Sequence, residues 1–138
     1  MKFAMNGALI IGTMDGANVE IAEEIGKENM FIFGGNVQEV HRYRELDDSV
    51  RKSKLDGRLK NAFKAIFDNK FGPLNDEIKG YLGRVESGSD YYCLGLDFPS
   101  YCDAQERADR AYKNQAEWNR MAITGVAKSG KFSSDRTI

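Results

Sequence analysis

The sequence predicts a helix-rich α/β fold whose parallel sheet is incomplete. Apolar runs at Ala8–Ile11 and Met30–Phe33 flank one amphipathic segment, and strand, helix, strand over about 25 residues is the crossover unit of a parallel sheet. Helical spacing dominates elsewhere, with Leu55, Leu59, Phe63, Ile66 and Phe67 on one face. Only one further run, Tyr91-Tyr92-Cys93-Leu94, has strand composition, and three strands are too few for a doubly wound sheet. The remaining strands are expected from residues not encoded here, which leaves sheet edges exposed.

The elements follow in order. Asn6-Gly7 ends a short helix in the left-handed conformation, and Gly12-Thr13-Met14-Asp15-Gly16 makes a turn with Asp15 as the cap of the next helix. In that helix Ala17, Ile21, Ala22 and Ile25 lie on one side, Glu20, Glu23 and Glu24 on the other, and Gly26 closes it. Gly34-Gly35 ends the second strand, and Asn36 caps a helix through Val37, Val40 and Arg44. The long segment from Ser49 is weakened at Gly57, which marks a candidate start, and it ends at Gly72-Pro73. Leu74 to Leu82 reads as a further short helix and Gly83 to Asp90 as an exposed loop.

Composition narrows the function classes. The 138 residues carry 20 Lys and Arg against 21 Asp and Glu, interspersed, so no basic stripe offers a nucleic-acid footprint. No apolar run approaches the roughly 20 residues that cross a bilayer, and no signal-peptide core follows Met1-Lys2, which predicts a soluble cytoplasmic product. Two cysteines, Cys93 and Cys102, with the single histidine His41, indicate neither a disulfide framework nor a zinc site. No metal is expected. Gly12 to Ala17 lacks both the dinucleotide and the P-loop pattern, so a structural helix cap outweighs a phosphate cradle there.

Met1-Lys2-Phe3-Ala4-Met5-Asn6, continued by Gly7-Ala8-Leu9-x-Ile11-Gly12-Thr13-Met14-Asp15-Gly16-Ala17-Asn18-Val19-Glu20, resembles the pyridoxal-phosphate site of the α-glucan phosphorylases. Glu28-Asn29-x-Phe31-Ile32-Phe33-Gly34 extends the likeness, as do Asp97-Phe98-x-x-Tyr101 and Ala104-Gln105, which begin a long helix running through Ala108, Ala111 and Tyr112 to Asn114. Glu117-Trp118, Arg120-Met121 and the stretch from Ser129 to Ile138 correspond nearly word for word, whereas about Asp47 to Ser89 match loosely. The family's Glu-Ala-Ser-Gly half, which precedes the lysine, does not stand ahead of Met1. Ser133, Ser134 and Asp135 signal a helix start close to Ile138, so residues 1–138 are expected to be a partial domain truncated at both ends.

The resemblance implies that Lys2 carries pyridoxal 5'-phosphate. It implies the C-terminal Rossmann-like domain of a two-domain, GT-B type glycosyltransferase, with the cofactor in the cleft. The parent would pass the terminal α-1,4-linked glucosyl unit of a glucan to inorganic phosphate, giving glucose 1-phosphate, and would work as a homodimer. In that family the cofactor's phosphate serves as proton donor and acceptor beside the substrate phosphate. An ordinary lysine amine, with pKa near 10.4, is charged at neutral pH, and attachment needs it neutral. Lys2 also neighbours an α-amine of pKa about 8, so the chain alone is expected to bind the cofactor weakly and to be inactive. The alternative is a non-catalytic gene fragment or interaction module that pairs with full-length phosphorylase. Lys131 and Arg136 are read as surface or interdomain ion pairs before phosphate ligands, Trp118 and Phe132 as core, and His41 as a helix-surface residue.

Overall fold

The computed structural model describes residues 2–133 and 135. Among them the order is α1 (Lys2–Met5), β1 (Ile11–Thr13), α2 (Ala17–Ile25), β2 (Phe31–Phe33), α3 (Val37–Arg44), α4 (Asp48–Ser53), α5 (Gly57–Phe67), α6 (Asp76–Ser87), α7 (Leu94–Lys113) and α8 (Gln115–Lys128), with 3-10 turns at Lys27–Asn29 and Ser129–Phe132. The chain divides into two units, one formed by residues up to Gly34 with those from Ser100 onward, the other by Gly35–Pro99. The division falls within α7.

The first unit holds the sheet. β1 and β2 pair in parallel, Ile11 opposite Phe31, Gly12 opposite Ile32 and Thr13 opposite Phe33. On one face Ile10, Met14 and Ile32 pack on Ile21, Ala22 and Ile25 of α2. On the other, Leu9, Ile11, Phe31 and Phe33 pack on Ala104 and Ala108 of α7 and on Met121 and Trp118 of α8. Helices therefore cover both faces, which is why the strands read as unbroken apolar runs and not as alternation. The first strand sits later than the predicted Ala8–Ile11. Asn6, Gly7 and Ala8 are engaged in closing α1, and the ladder begins where Phe31 donates to the Ile10 carbonyl at 2.9 Å.

The second unit is helical. Leu55, Leu59, Phe63 and Val85 form its buried centre, with Phe67, Tyr81, Leu82, Leu94 and Phe98 packed around them, so the predicted stripe is core. Asn36 and Glu39 cap α3 reciprocally, at 3.0 and 2.8 Å. Asp56 accepts from the Arg58 amide at 2.7 Å, so α5 starts at Gly57, as the sequence suggests.

Three expectations are corrected. Helix α6 runs from Asp76 to Ser87, beyond the predicted Leu82, and turns most of the expected Gly83–Asp90 loop into helix; Gly88, at φ 97°, ends it. Tyr91–Leu94 is not a strand: Tyr91 and Tyr92 form an exposed turn and Leu94 already belongs to α7. The reason is a fully buried carboxylate, Asp90, which accepts the Gly95 amide at 2.7 Å and so starts the helix there. The predicted helix through Asn114 ends at Lys113, because Asn114 instead caps α8, accepting from Glu117 at 3.3 Å. Among the described residues, then, the fold is helix-rich α/β with a two-stranded parallel sheet.

Candidate functional site

Lys2 opens α1 with its side chain exposed. The short helix is closed by a complete left-handed cap. Gly7, at φ 84°, donates to the Ala4 carbonyl at 3.0 Å, Ala8 donates to Phe3 at 3.0 Å, and the Asn6 side-chain amide folds back onto the Lys2 carbonyl at 2.8 Å. The Asn-Gly pair thus acts locally, ending the lysine-bearing turn and sending the chain toward β1.

Do the surrounding residues fit a phosphate-bearing aldehyde cofactor? The cavity nearest α1 measures about 20 Å³, is lined mainly by apolar side chains such as Ala4, Leu9, Ile21 and Met121, and has room for about one water. An open depression of about 340 Å³ beside Asn6 and Gly7 is likewise apolar, formed by Ala122, Ile123, Val126 and Ala127 of α8. Neither offers a cationic cradle for a phosphate. Lys2 itself is exposed and lines neither of these two cavities.

The other candidates separate cleanly. Asp15 is not the cap that the sequence suggests: α2 is preceded by Gly16 at φ 52°, and the Asp15 carboxylate accepts the Gly16 amide at 2.8 Å, outside the helix. Asn18 turns back to the Thr13 carbonyl at 2.9 Å. Lys131 pairs with Glu24, so its role within this unit is an ion pair; Arg136 lies outside the described residues. Trp118 stacks on Phe31 with ring centres 6.4 Å apart, Phe132 joins the cluster around α2, and His41 is exposed on α3. Cys93 and Cys102 are free thiols. Among the described residues no group of three His, Cys, Asp or Glu is placed to hold a metal, and no helix is long and apolar enough to cross a membrane.

The second unit contains a buried polar group that sequence reading missed, because strand-like composition at Tyr91–Leu94 hid it. Besides Asp90, it includes Tyr43, whose hydroxyl has no partner among the described residues and whose phenol is pushed up to about 12 by burial, with Asp90 and Cys93 adding to the rise. Half-buried Asp97 accepts the Gly35 amide at 2.9 Å. Burial lifts the Asp97 carboxyl above the usual aspartate range; the Gly35 amide opposes this and Asp90 reinforces it. A raised folded-state pKa means that folding favours the protonated acid, so this group's contribution weakens as pH rises from near 3.9 through the folded value and stays unfavourable at neutrality. Asp97→Asn, which keeps an acceptor for Gly35, is expected to raise the urea midpoint at pH 7 and to match the parent chain below about pH 3. A midpoint lowered at pH 7 would count against this account of Asp97.

Residues 1–138 match the carbohydrate phosphorylase family. The chain is 51% identical to the Vicia faba α-glucan phosphorylase H isozyme, aligning over 100% of its own length and 17% of that protein. It is 49% identical to the cytosolic α-glucan phosphorylase 2 of Arabidopsis thaliana, again over 100% and 17%, and 44% identical to Dictyostelium discoideum glycogen phosphorylase 2, over 100% and 14%. The chain spans well under a fifth of the length of these relatives.

Proposed function

The chain belongs to the carbohydrate phosphorylase family, and from that premise we propose that it is the cofactor-anchoring part of an α-glucan phosphorylase, with Lys2 carrying pyridoxal 5'-phosphate. One observation carries the reading. The family match extends over all of residues 1–138 and includes the lysine-bearing turn, where the amine is exposed and the cap at Asn6-Gly7 fixes the turn just ahead of β1. The whole polypeptide then transfers the terminal α-1,4-linked glucosyl unit of a glucan to inorganic phosphate. When bound, the cofactor supplies a phosphate that exchanges protons with the phosphate substrate. This chain's share is to hold the cofactor; residues beyond it provide the dry enclosure that keeps water from competing with phosphate as acceptor. The helix-covered parallel pair supports membership in the C-terminal Rossmann-like half of a two-domain, GT-B type architecture. The parent is a homodimer in this reading, and the name of the cytosolic Arabidopsis relative supports a cytoplasmic compartment for it.

Reductive trapping tests it. A full-length phosphorylase carrying these residues, treated with pyridoxal phosphate and borohydride and then peptide-mapped, is expected to bear one label per chain, on Lys2. The 138-residue chain alone is expected to label substoichiometrically and on several amines. A label on a different lysine of the full-length protein would refute the assignment; a single stoichiometric label on Lys2 of the isolated chain would refute the distant enclosure. That Lys2 is exposed and lines neither cavity beside α1 also supports a second reading, in which the isolated chain is a non-catalytic module that pairs with full-length phosphorylase. Co-purification with that subunit from the source cells checks it.

A further inference from the structure

We infer that the Gly35–Pro99 unit holds one internal water molecule, bonded at once to the Tyr43 hydroxyl, Asp90 Oδ1 and Arg51 Nε. Among the described residues these three are the buried side-chain nitrogen and oxygen atoms left without a hydrogen-bond partner, and all belong to this one unit. They converge. A Cβ built on Gly95 would lie 2.6 Å from the Tyr43 hydroxyl oxygen and 3.5 Å from Asp90 Oδ2, so the phenol of α3 and the carboxylate ahead of α7 close on the same residue. The Arg51 guanidinium of α4 lies over the Tyr43 ring, 5.9 Å from its centre, and the charges of Asp90 and Arg51 both act on the phenol. Asp90 is fully buried and Tyr43 is 5% exposed, so bulk solvent satisfies neither. Their neighbours are already engaged: Asp90 Oδ2 accepts the Gly95 amide at 2.7 Å, Arg51 pairs through a terminal nitrogen with Asp48, and Asp97 accepts the Gly35 amide at 2.9 Å. Leaving even one buried polar group unpaired is costly, and three together more so.

The three atoms select the occupant by their chemistry. Asp90 Oδ1 needs a donor, Arg51 Nε donates and so needs a lone pair, and the Tyr43 hydroxyl can do either. A metal ion or an ammonium ion has no lone pair for Arg51. A simple anion has no proton for Asp90 and would face its carboxylate. Water has both, and by donating to Asp90 Oδ1 while accepting from Tyr43 and Arg51 it makes three bonds, the usual number for an internal water. The close approach at Gly95, where a single carbon would stand 2.6 Å from the phenol oxygen, also suits a ligand of one non-hydrogen atom. So placed, the water joins the Arg51 cation to the Asp90 carboxylate and ties α3 and α4 to the residue that starts α7. The inference needs neither Lys2 nor a cofactor, and it stands apart from the family reading.

Two measurements test it. In a crystal structure of this chain, or of a full-length phosphorylase carrying these residues, that shows ordered water, one peak is expected within about 2.5–3.2 Å of all three atoms. Tyr43→Phe supplies the second measurement, because it keeps the ring beneath Arg51 and removes the hydroxyl alone. With the water in place the variant loses a bond, and its unfolding equilibrium constant, from urea denaturation, should rise by about three- to tenfold. Were the hydroxyl without a partner, the same change would relieve a penalty and lower that constant. An unchanged or lowered constant therefore overturns the proposal. So does a Tyr43 hydroxyl bonded directly to Asp90 with no peak between them, or a peak whose anomalous scattering marks a metal or halide ion. Should Tyr43→Phe not fold, the presence or absence of the peak in the parent protein decides the matter alone.

Discussion

Lys2→Ala in a full-length phosphorylase carrying these residues is expected to abolish covalent retention of pyridoxal phosphate and to lower phosphorolysis by about a thousandfold or more, the scale on which loss of a covalently held reactive group is felt. The fold should not register the change. Lys2 is exposed on a four-residue helix whose closure depends on backbone bonds from Gly7 and Ala8 and on the Asn6 side chain, so stability is expected to move by no more than about 0.5 kcal/mol. Lys2→Arg separates the two roles a lysine could have. Arginine keeps a positive charge and good helix propensity, yet its guanidinium stays protonated and cannot form the attachment. Both variants should therefore lose the cofactor on desalting to the same degree, and added free cofactor should restore only part of the activity. If Lys2→Arg retains cofactor through desalting, or Lys2→Ala keeps near-parental phosphorolysis, the lysine is not the anchor.

What could be read in the sequence divides by range. Features set within a few residues were legible: the Asn6-Gly7 cap, the Asn36 cap and the Gly57 start of α5 all rest on bonds between near neighbours. Tyr91–Leu94 was misread because β-propensity reports only fitness for a half-buried pleated surface, whereas the outcome depended on whether Asp90 would be buried as a helix cap. The Asp15 cap failed for a similar reason: at Gly16, φ 52° directs the carboxylate to one amide outside the helix. As for the site, the lysine and its turn were legible as a motif. No enclosure was legible, and among the described residues no cationic cradle lines the two cavities beside α1.

Gly88→Ala is expected to cost the Gly35–Pro99 unit about 3 kcal/mol or more, enough to unfold a unit of this size or leave it barely folded. Two effects add. Gly88 sits at φ 97°, where an L side chain is strained by about 1 kcal/mol or more, and it closes α6 by donating to the Val85 carbonyl at 3.1 Å. A Cβ built there would also lie 2.0 Å from the Asp48 carbonyl oxygen and 2.7 Å from its carbon. That obstacle is backbone, so relief requires α4 and α6 to part, which loosens Val85, only 1% exposed, from Leu55, Leu59 and Phe63. Gly83→Ala, five residues earlier in the same helix, is the internal contrast. Nothing lies within 4 Å of its Cβ position, and its backbone is helical, so alanine there should stabilise by about 0.5–1 kcal/mol through helix propensity. Urea denaturation of the three proteins, followed by helical circular dichroism, is expected to place the midpoints in the order Gly88→Ala, parent, Gly83→Ala. If the two variants shift together in either direction, the close approach of α6 to the Asp48 backbone is not what makes glycine necessary at position 88.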